Sequence, residues 1–163
     1  MTLRVRPARR ADADLLLGLI DALADYEKLE RPDAAARGRL VQHAFGDSPR
    51  IETFLVEQDG ETVGYALIFD AYSSFLARPT LYLEDVFVLP QHRRGGVGEE
   101  VMRYLAAEAL RRGCGRMEWQ VLTWNEPAIR FYDKIGARRM DDWVSYRLAA
   151  EDLERMAGAR KKD

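Results

Sequence analysis

The sequence predicts an α/β fold with a mixed sheet covered by helices. Three observations carry that prediction. Asp59-Gly60 joins two apolar runs, a two-residue hairpin signal that sets neighbouring strands antiparallel. Leu81 to Leu89 is apolar on both alternating faces, as a central strand covered on both sides should be. The amphipathic stretch Val97 to Arg112 then leads to a further strand, Met117 to Leu122, which makes a helical crossover.

Each element follows from its own pattern. Thr2 to Pro7 alternates Leu3 and Val5 with Arg4 and Arg6 and predicts an opening strand. Asp12 or Asp14 can cap a helix carrying Leu15, Leu16, Leu19, Ile20 and Leu23, which should run to about Leu29 and stop before Pro32. Asp33 to Phe45 predicts a second helix, interrupted by Gly38 and closed by Gly46. Ile51 to Gln58 and Glu61 to Phe69 form the hairpin strands, and Tyr72 to Pro79 reads as a loop. Asn125 to Ile135 predicts a short helix with Asn125 as N-cap, Pro127 in the first turn and Gly136 just past its end. Trp143 to Leu148 predicts a final strand, giving the order β-α-α-β-β-β-α-β-α-β.

Composition excludes several classes. The length of 163 residues suits one domain, assigned to residues 1–156, with 157–163 as a solvated tail that includes Arg160 to Lys162. A net charge of −2 with interspersed signs argues against a nucleic-acid partner. The single cysteine, Cys114, rules out an internal disulfide, and His43 and His92 lack metal-ligand spacing, so no metal site is expected. No apolar run approaches a membrane span and Met1 to Arg10 lacks a signal-peptide core, so the expected compartment is the cytoplasm.

Arg93-Arg94-Gly95-Gly96-Val97-Gly98 is the most informative stretch. A glycine turn between a strand and a helix aims unpaired amides and the positive end of a helix dipole at one point, which suits phosphate. Neither the dinucleotide fingerprint nor the P-loop pattern is present. The bland alternative is a glycine-rich connection with no ligand.

Glu84 and Asp85 interrupt the apolar strand, one on each face if the strand is regular. Buried carboxylates are costly unless paired. Either arginines pair with them, or they serve as a general base and a site for a cationic substrate. If both serve one site, a bulge nearby must break the alternation. Tyr132 falls on the flank of its helix, beside the Ala128, Phe131 and Ile135 stripe. A phenol there can protonate a departing thiolate, or can simply be a boundary tyrosine satisfied by water.

The strand Leu81–Leu89, the Arg93–Gly98 loop and Trp124-Asn125-Glu126-Pro127-Ala128-Ile129-Arg130-Phe131-Tyr132-Asp133-Lys134-Ile135-Gly136-Ala137 together resemble a GNAT acetyltransferase. Tyr82-Leu83-Glu84-Asp85, the Trp-Asn-Glu-Pro…Phe-Tyr run, Leu23 to Leu29 and Phe45 to Pro49 resemble its spermidine/spermine (diamine) and thialysine acetyltransferase branch. The resemblance implies a mixed, mostly antiparallel central sheet with helices on both faces, an acetyl-CoA cofactor, a small primary amine as substrate and a homodimer. It further implies that Val86, Phe87 and Val88 meet the pantetheine arm through their backbone. Arg94, Gly95, Gly96, Val97, Gly98 and Glu99 would hold the pyrophosphate through main-chain amides, with Arg93 opening the motif, and Asn125 and the turn through Ala128 would contact the cofactor further along. Tyr132 would be the general acid, and Glu84 the base acting through water. Tyr26, Glu27, Asp85 and the strand Glu118, Trp119, Gln120 would form the amine pocket. Arg94 stands where a small residue is common, Gly95 where a bulkier one is, and Tyr72-Ser73-Ser74-Phe75 replaces a tryptophan-containing segment. Lys28 resembles the thialysine-type members. Two other functions fit the same residues: a protein or peptide N-acetyltransferase, and a non-catalytic acyl-CoA-binding module.

Overall fold

A computed structural model of the chain describes residues 1–158. The chain divides into two compact units, the first Met1–Leu122 and the second from Thr123 onward.

The first unit holds one five-stranded sheet in sequential order: β1 (Leu3–Pro7), β2 (Glu52–Gln58), β3 (Glu61–Ser73), β4 (Arg78–Val88) and β5 (Arg116–Trp119). β1 to β4 pair antiparallel with one another in succession, and β5 runs parallel to β4 after a crossover through α3 (Val97–Arg111). The Asp59-Gly60 hairpin forms as expected, with φ of 51° and 86° at its two residues, the positive pair that a type I′ turn requires. The expected Tyr72–Pro79 loop is mostly strand: β3 continues to Ser73 and β4 begins at Arg78, in register Ser73 with Arg78. Backbone pairing there outweighs the loop-forming composition, and only residues 74–77 turn.

Two helices precede β2: α1 (Ala13–Glu27) and α2 (Ala34–Phe45). Leu16, Leu19 and Ile20 of α1 pack on Leu55, Tyr65, Leu67 and Phe87 of the sheet. Each such buried side chain is worth about 1.5–3 kcal/mol. Phe54, one residue from Leu55, points to the opposite face and meets Tyr104 of α3 with ring centroids 5.5 Å apart. Helices therefore cover both faces, and Val97, Val101 and Leu105 of α3 are fully buried. Asp33 caps α2 by accepting from the Ala36 amide at 2.8 Å. Asp12 occupies the N-cap position of α1 but makes no side-chain capping bond; its oxygens are taken by Arg6 and by the Arg9 amide.

The second unit contains α4 (Glu126–Lys134) and α5 (Ala150–Gly158). Gly136, with φ of 84°, ends α4 as expected, and the Ala137 amide returns to the Tyr132 carbonyl. The expected strand Trp143–Leu148 does not form. Its β-favouring residues find no ladder partner among the described residues, and Trp143, Val144, Tyr146 and Leu148 are all exposed. In its place α5 follows, a helix the strand reading passed over, with Asp152 accepting from the Ala149 amide at 3.3 Å. Ala157 and Gly158 are the last residues of α5 and are exposed, while Arg160 to Lys162 lie outside the described residues.

Candidate active site

The site begins where β4 loses a neighbour. β5 pairs with β4 only from Thr80 to Leu83, whereas β3 follows β4 to Val88. Among the described residues, the other edge of β4 has no ladder from Glu84 onward. Antiparallel pairs alternate in direction. The Leu89 amide bonds to the Val63 carbonyl at 2.8 Å, so Phe87 and Asp85 are turned toward β3 while Val86 and Val88 point their amides and carbonyls to the open edge. The Val88 carbonyl there accepts from Arg93 Nε at 2.8 Å.

The register of β3 against β4 shifts at this same point. Leu67 opposes Asp85 and Ile68 opposes Leu83, which leaves Glu84 as the extra residue of a bulge. Leu67 and Ile68 are adjacent and face opposite ways, so Asp85 and Leu83 do too. Glu84, next to Leu83, therefore shares the Asp85 face. The regular alternation that would have separated the two acids is broken, and both point to the α1 side of the sheet.

Tyr65, fully buried, donates from its hydroxyl to Asp85 Oδ2 at 2.9 Å. Burial pushes the Asp85 carboxyl up to about 6, aided by the negative charges of Glu84 and Glu27 and opposed by the Tyr65 hydrogen bond. Burial also raises Glu27, at the end of α1. The Tyr65 phenol is pushed up by burial and by Asp85. Among the described residues, none of Glu27, Glu84 and Asp85 forms an ion pair with lysine or arginine. Tyr82 shares this face, stacked on Phe69 at 4.9 Å, and its phenol is raised by burial, Glu84 and Glu118. Glu118 opposes Tyr82 across the parallel pair and bonds to Arg116 at 2.5 Å. Trp119 ends β5 opposite Leu83, and Gln120 follows it, exposed. Such a cluster attracts a cation and supplies oxygens able to take a proton.

The glycine turn lies beyond the open edge. Gly95 and Gly96 take φ of 102° and 81°, a left-handed pair that side chains disfavour. Gly96 is the N-cap of α3, and no side chain caps the helix. The first-turn amides and the positive end of the dipole are thus left for an anion, with buried Val97 anchoring the turn. Arg94 is exposed. Arg93 instead lies over the Tyr26 ring at 4.2 Å.

In the second unit Asn125, buried, accepts from the Ala128 amide at 3.4 Å and opens α4. Tyr132 is half-buried, its ring 5.4 Å from that of Phe131. Sequence reasoning did not single out Tyr65, and it quoted Tyr82 only within the Tyr82–Asp85 pattern, with no role of its own. Both read as ordinary apolar-strand aromatics until register sets them beside the acids. Among the described residues no group of three His, Cys, Asp or Glu is placed to hold a metal, and no helix is long and apolar enough to cross a membrane.

A mixed sheet bulged at Glu84, its β4 edge open past Leu83 among the described residues and followed by a glycine-opened helix, defines an α/β protein with a free strand edge and a free helix start. Residues 19–137 match the Acetyltransferase (GNAT) family, and the chain belongs to it. It is an acetyl-transferring enzyme. A thialysine N-epsilon-acetyltransferase from Mus musculus is 32% identical over 166 residues, covering 95% of this chain and 97% of that protein. An L-ornithine N5-acetyltransferase from Arabidopsis thaliana is 37% identical over 110 residues, covering 66% and 48%. Among solved structures, an integron cassette protein of V. cholerae superposes with a TM-score of 0.81 at 21% identity, covering 98% of this chain and 99% of that one. AAC(6′)-Iy in complex with a CoA-containing bisubstrate analogue gives 0.71 at 20% identity, covering 91% and 99%.

Proposed function

We propose that this enzyme transfers acetyl from acetyl-CoA to a primary amine of a small molecule by direct attack, with a lysine-like amine or short diamine as acceptor. The observation that carries the reading is the cluster of Glu27, Glu84 and Asp85 without cation partners, beside an open strand edge and an uncapped helix start. An ammonium group supplies the missing positive charge. The mouse relative is named for thialysine and the plant relative for ornithine, both amino acids with a side-chain amine.

The residues present suit the cofactor. The outward amide and carbonyl of Val86 match an amide-bearing pantetheine arm, and the amides from Gly95 to Glu99 match a pyrophosphate. Arg93 and Arg94 open this loop, and Asn125 and Ala128 would contact the cofactor further along. Acetyl-CoA supplies an activated acyl thioester when bound. The amine reaches the site as an ammonium ion and must lose a proton to attack. Glu84, through a water, is the base, with the buried Asp85 beside it; Tyr26, Glu27, Glu118, Trp119 and Gln120 shape the pocket. Tyr132 returns a proton to the departing thiolate, a role that rests on its place in the Trp124–Ala137 pattern. The resemblance also carries two remaining proposals, one catalytic domain over 1–156 and a homodimer; a cytoplasmic site of action is proposed from the sequence reading alone.

Turnover of acetyl-CoA against thialysine, lysine, ornithine, diamines and basic peptides tests the reading. We expect the small amines to be acetylated and the peptides not. CoA should raise the melting temperature, by about 2.7 kcal/mol of added stability at a hundredfold excess over Kd. Absence of any shift at millimolar CoA would refute the cofactor.

A further inference from the structure

Arg93 belongs to the glycine loop by sequence, yet its side chain is engaged with the amine side of the molecule. Nε donates to the Val88 carbonyl at 2.8 Å, which fixes the guanidinium at the end of β4. The guanidinium carbon sits 4.2 Å from the Tyr26 ring centroid and 5.3 Å from that of Phe87. The two rings are themselves 6.1 Å apart and tilted by 52°, so one planar cation faces a pair of aromatic surfaces. Among the described residues Arg93 has no carboxylate within ion-pair distance, and it is half-buried. The carbonyl and the two rings take the place of an anion.

Three pieces of chain meet at this contact. The turn after β4 contributes Arg93, the end of β4 contributes Val88 and Phe87, and the last turn of α1 contributes Tyr26. The next residue is Glu27, a member of the acidic cluster, and the helix ends one residue later at Lys28 in the left-handed conformation, φ 60°. Movement of Tyr26 off the arginine would carry Glu27 with it.

We infer that the Arg93 side chain is a positioning residue of the amine pocket, holding Tyr26 and Glu27 against the end of β4, and is not a ligand of the cofactor pyrophosphate. The inference rests on the acetyl-transfer reading above. The two roles for Arg93 separate when the donor is truncated. Acetyl-pantetheine carries the same thioester and no pyrophosphate, so a phosphate ligand has nothing to hold in it, whereas a positioning residue is needed with either donor.

Arg93→Lys keeps the charge and loses the planar stack and the Nε donor; Arg93→Met keeps the length and loses the charge; Tyr26→Leu removes the ring. We expect both Arg93 variants to raise the KM for the preferred amine about tenfold with acetyl-CoA and with acetyl-pantetheine alike, and the CoA Kd by calorimetry to move less than about twofold. Tyr26→Leu should reproduce that KM, and adding Arg93→Met to it should change little more. CoA-dependent melting shifts show which variants are folded, and Arg93→Lys with Tyr26→Leu decides the matter if Arg93→Met is not. A defect in CoA affinity that vanishes with acetyl-pantetheine, or full additivity of Tyr26→Leu and Arg93→Met, would overturn the inference while leaving acetyl transfer intact. A wild-type protein inactive with every amine and both donors would overturn the acetyl-transfer reading and this inference with it.

Discussion

Two sets of acids in the first unit meet opposite fates. Near β1, Arg6 reaches Glu57 through Nε at 2.6 Å and grips Asp12 through Nη1 and Nη2 at 2.8 and 3.0 Å. That fork holds the Asp12 carboxyl down to about 2. At the bulge of β4, Asp85 has a tyrosine for a partner and two acids for company, and its carboxyl is pushed up to about 6. One cluster is complete within the chain and ties β1 to β2 and the start of α1. The other has no lysine or arginine partner among the described residues, and the proposed amine would supply that positive charge. A perturbed acid with a full set of cation partners is architecture; one raised by burial among like charges is a candidate for chemistry.

The contrast can be broken in several ways. The largest effect should come from Glu84→Gln, which we expect to lower amine kcat/KM by about a hundredfold or more while the CoA Kd is unchanged. An equal loss of CoA affinity would move Glu84 out of the amine site. Tyr132→Phe should reduce kcat by about a hundredfold with several amines; unchanged turnover would remove its acid role. Arg6→Ala acts on the paired cluster and should cost about 2–3 kcal/mol of stability in urea unfolding, since Asp12 and Glu57 lose a shared donor in a half-buried place. A loss below about 0.5 kcal/mol would reduce that network to ordinary surface pairing.

Stability against pH sharpens the same comparison with smaller effects. Asp85 has a folded pKa of about 6 against an ordinary 3.8, so between these values the native state keeps a proton that the unfolded chain releases. Stability contributed at this site therefore falls as pH rises from about 4 to about 6. Asp85→Asn should stabilise the protein at pH 7 by about 1–2 kcal/mol, with the gain gone below pH 4. Asp12 has the reverse sign. Its pKa is lowered, so its contribution is present above about pH 4 and lost as pH falls toward about 2. Asp12→Asn should be destabilising at pH 7, by about 1 kcal/mol, and neutral near pH 2. The same pH slope for both variants would erase the distinction.

Much of this arrangement was legible in the chain. Alternation and helical spacing identified β1 to β5 and α1 to α4, because burial of one face imprints its period on the sequence. Asp59-Gly60 announced its hairpin through the backbone angles that only such pairs adopt readily. The Trp143–Leu148 error shows where this kind of inference stops. Val144, Tyr146 and Leu148 have the alternation of a strand, but a strand is made by its neighbour, and pairing is not written in either segment alone.

The sequence by itself determined the family, the glycine turn that opens α3, and the presence of two acids in an apolar strand. Those are local matters: residue type, spacing and the backbone freedom of glycine. Only the tertiary structure decided that Glu84 and Asp85 share a face, because that depends on a one-residue shift of β3 against β4. It likewise placed Tyr65 under Asp85 and Arg93 on Tyr26, contacts between residues 20 and 67 positions apart in the chain. Side-chain chemistry is fixed by the residue, but pKa, pairing and reach are fixed by what folding brings beside it.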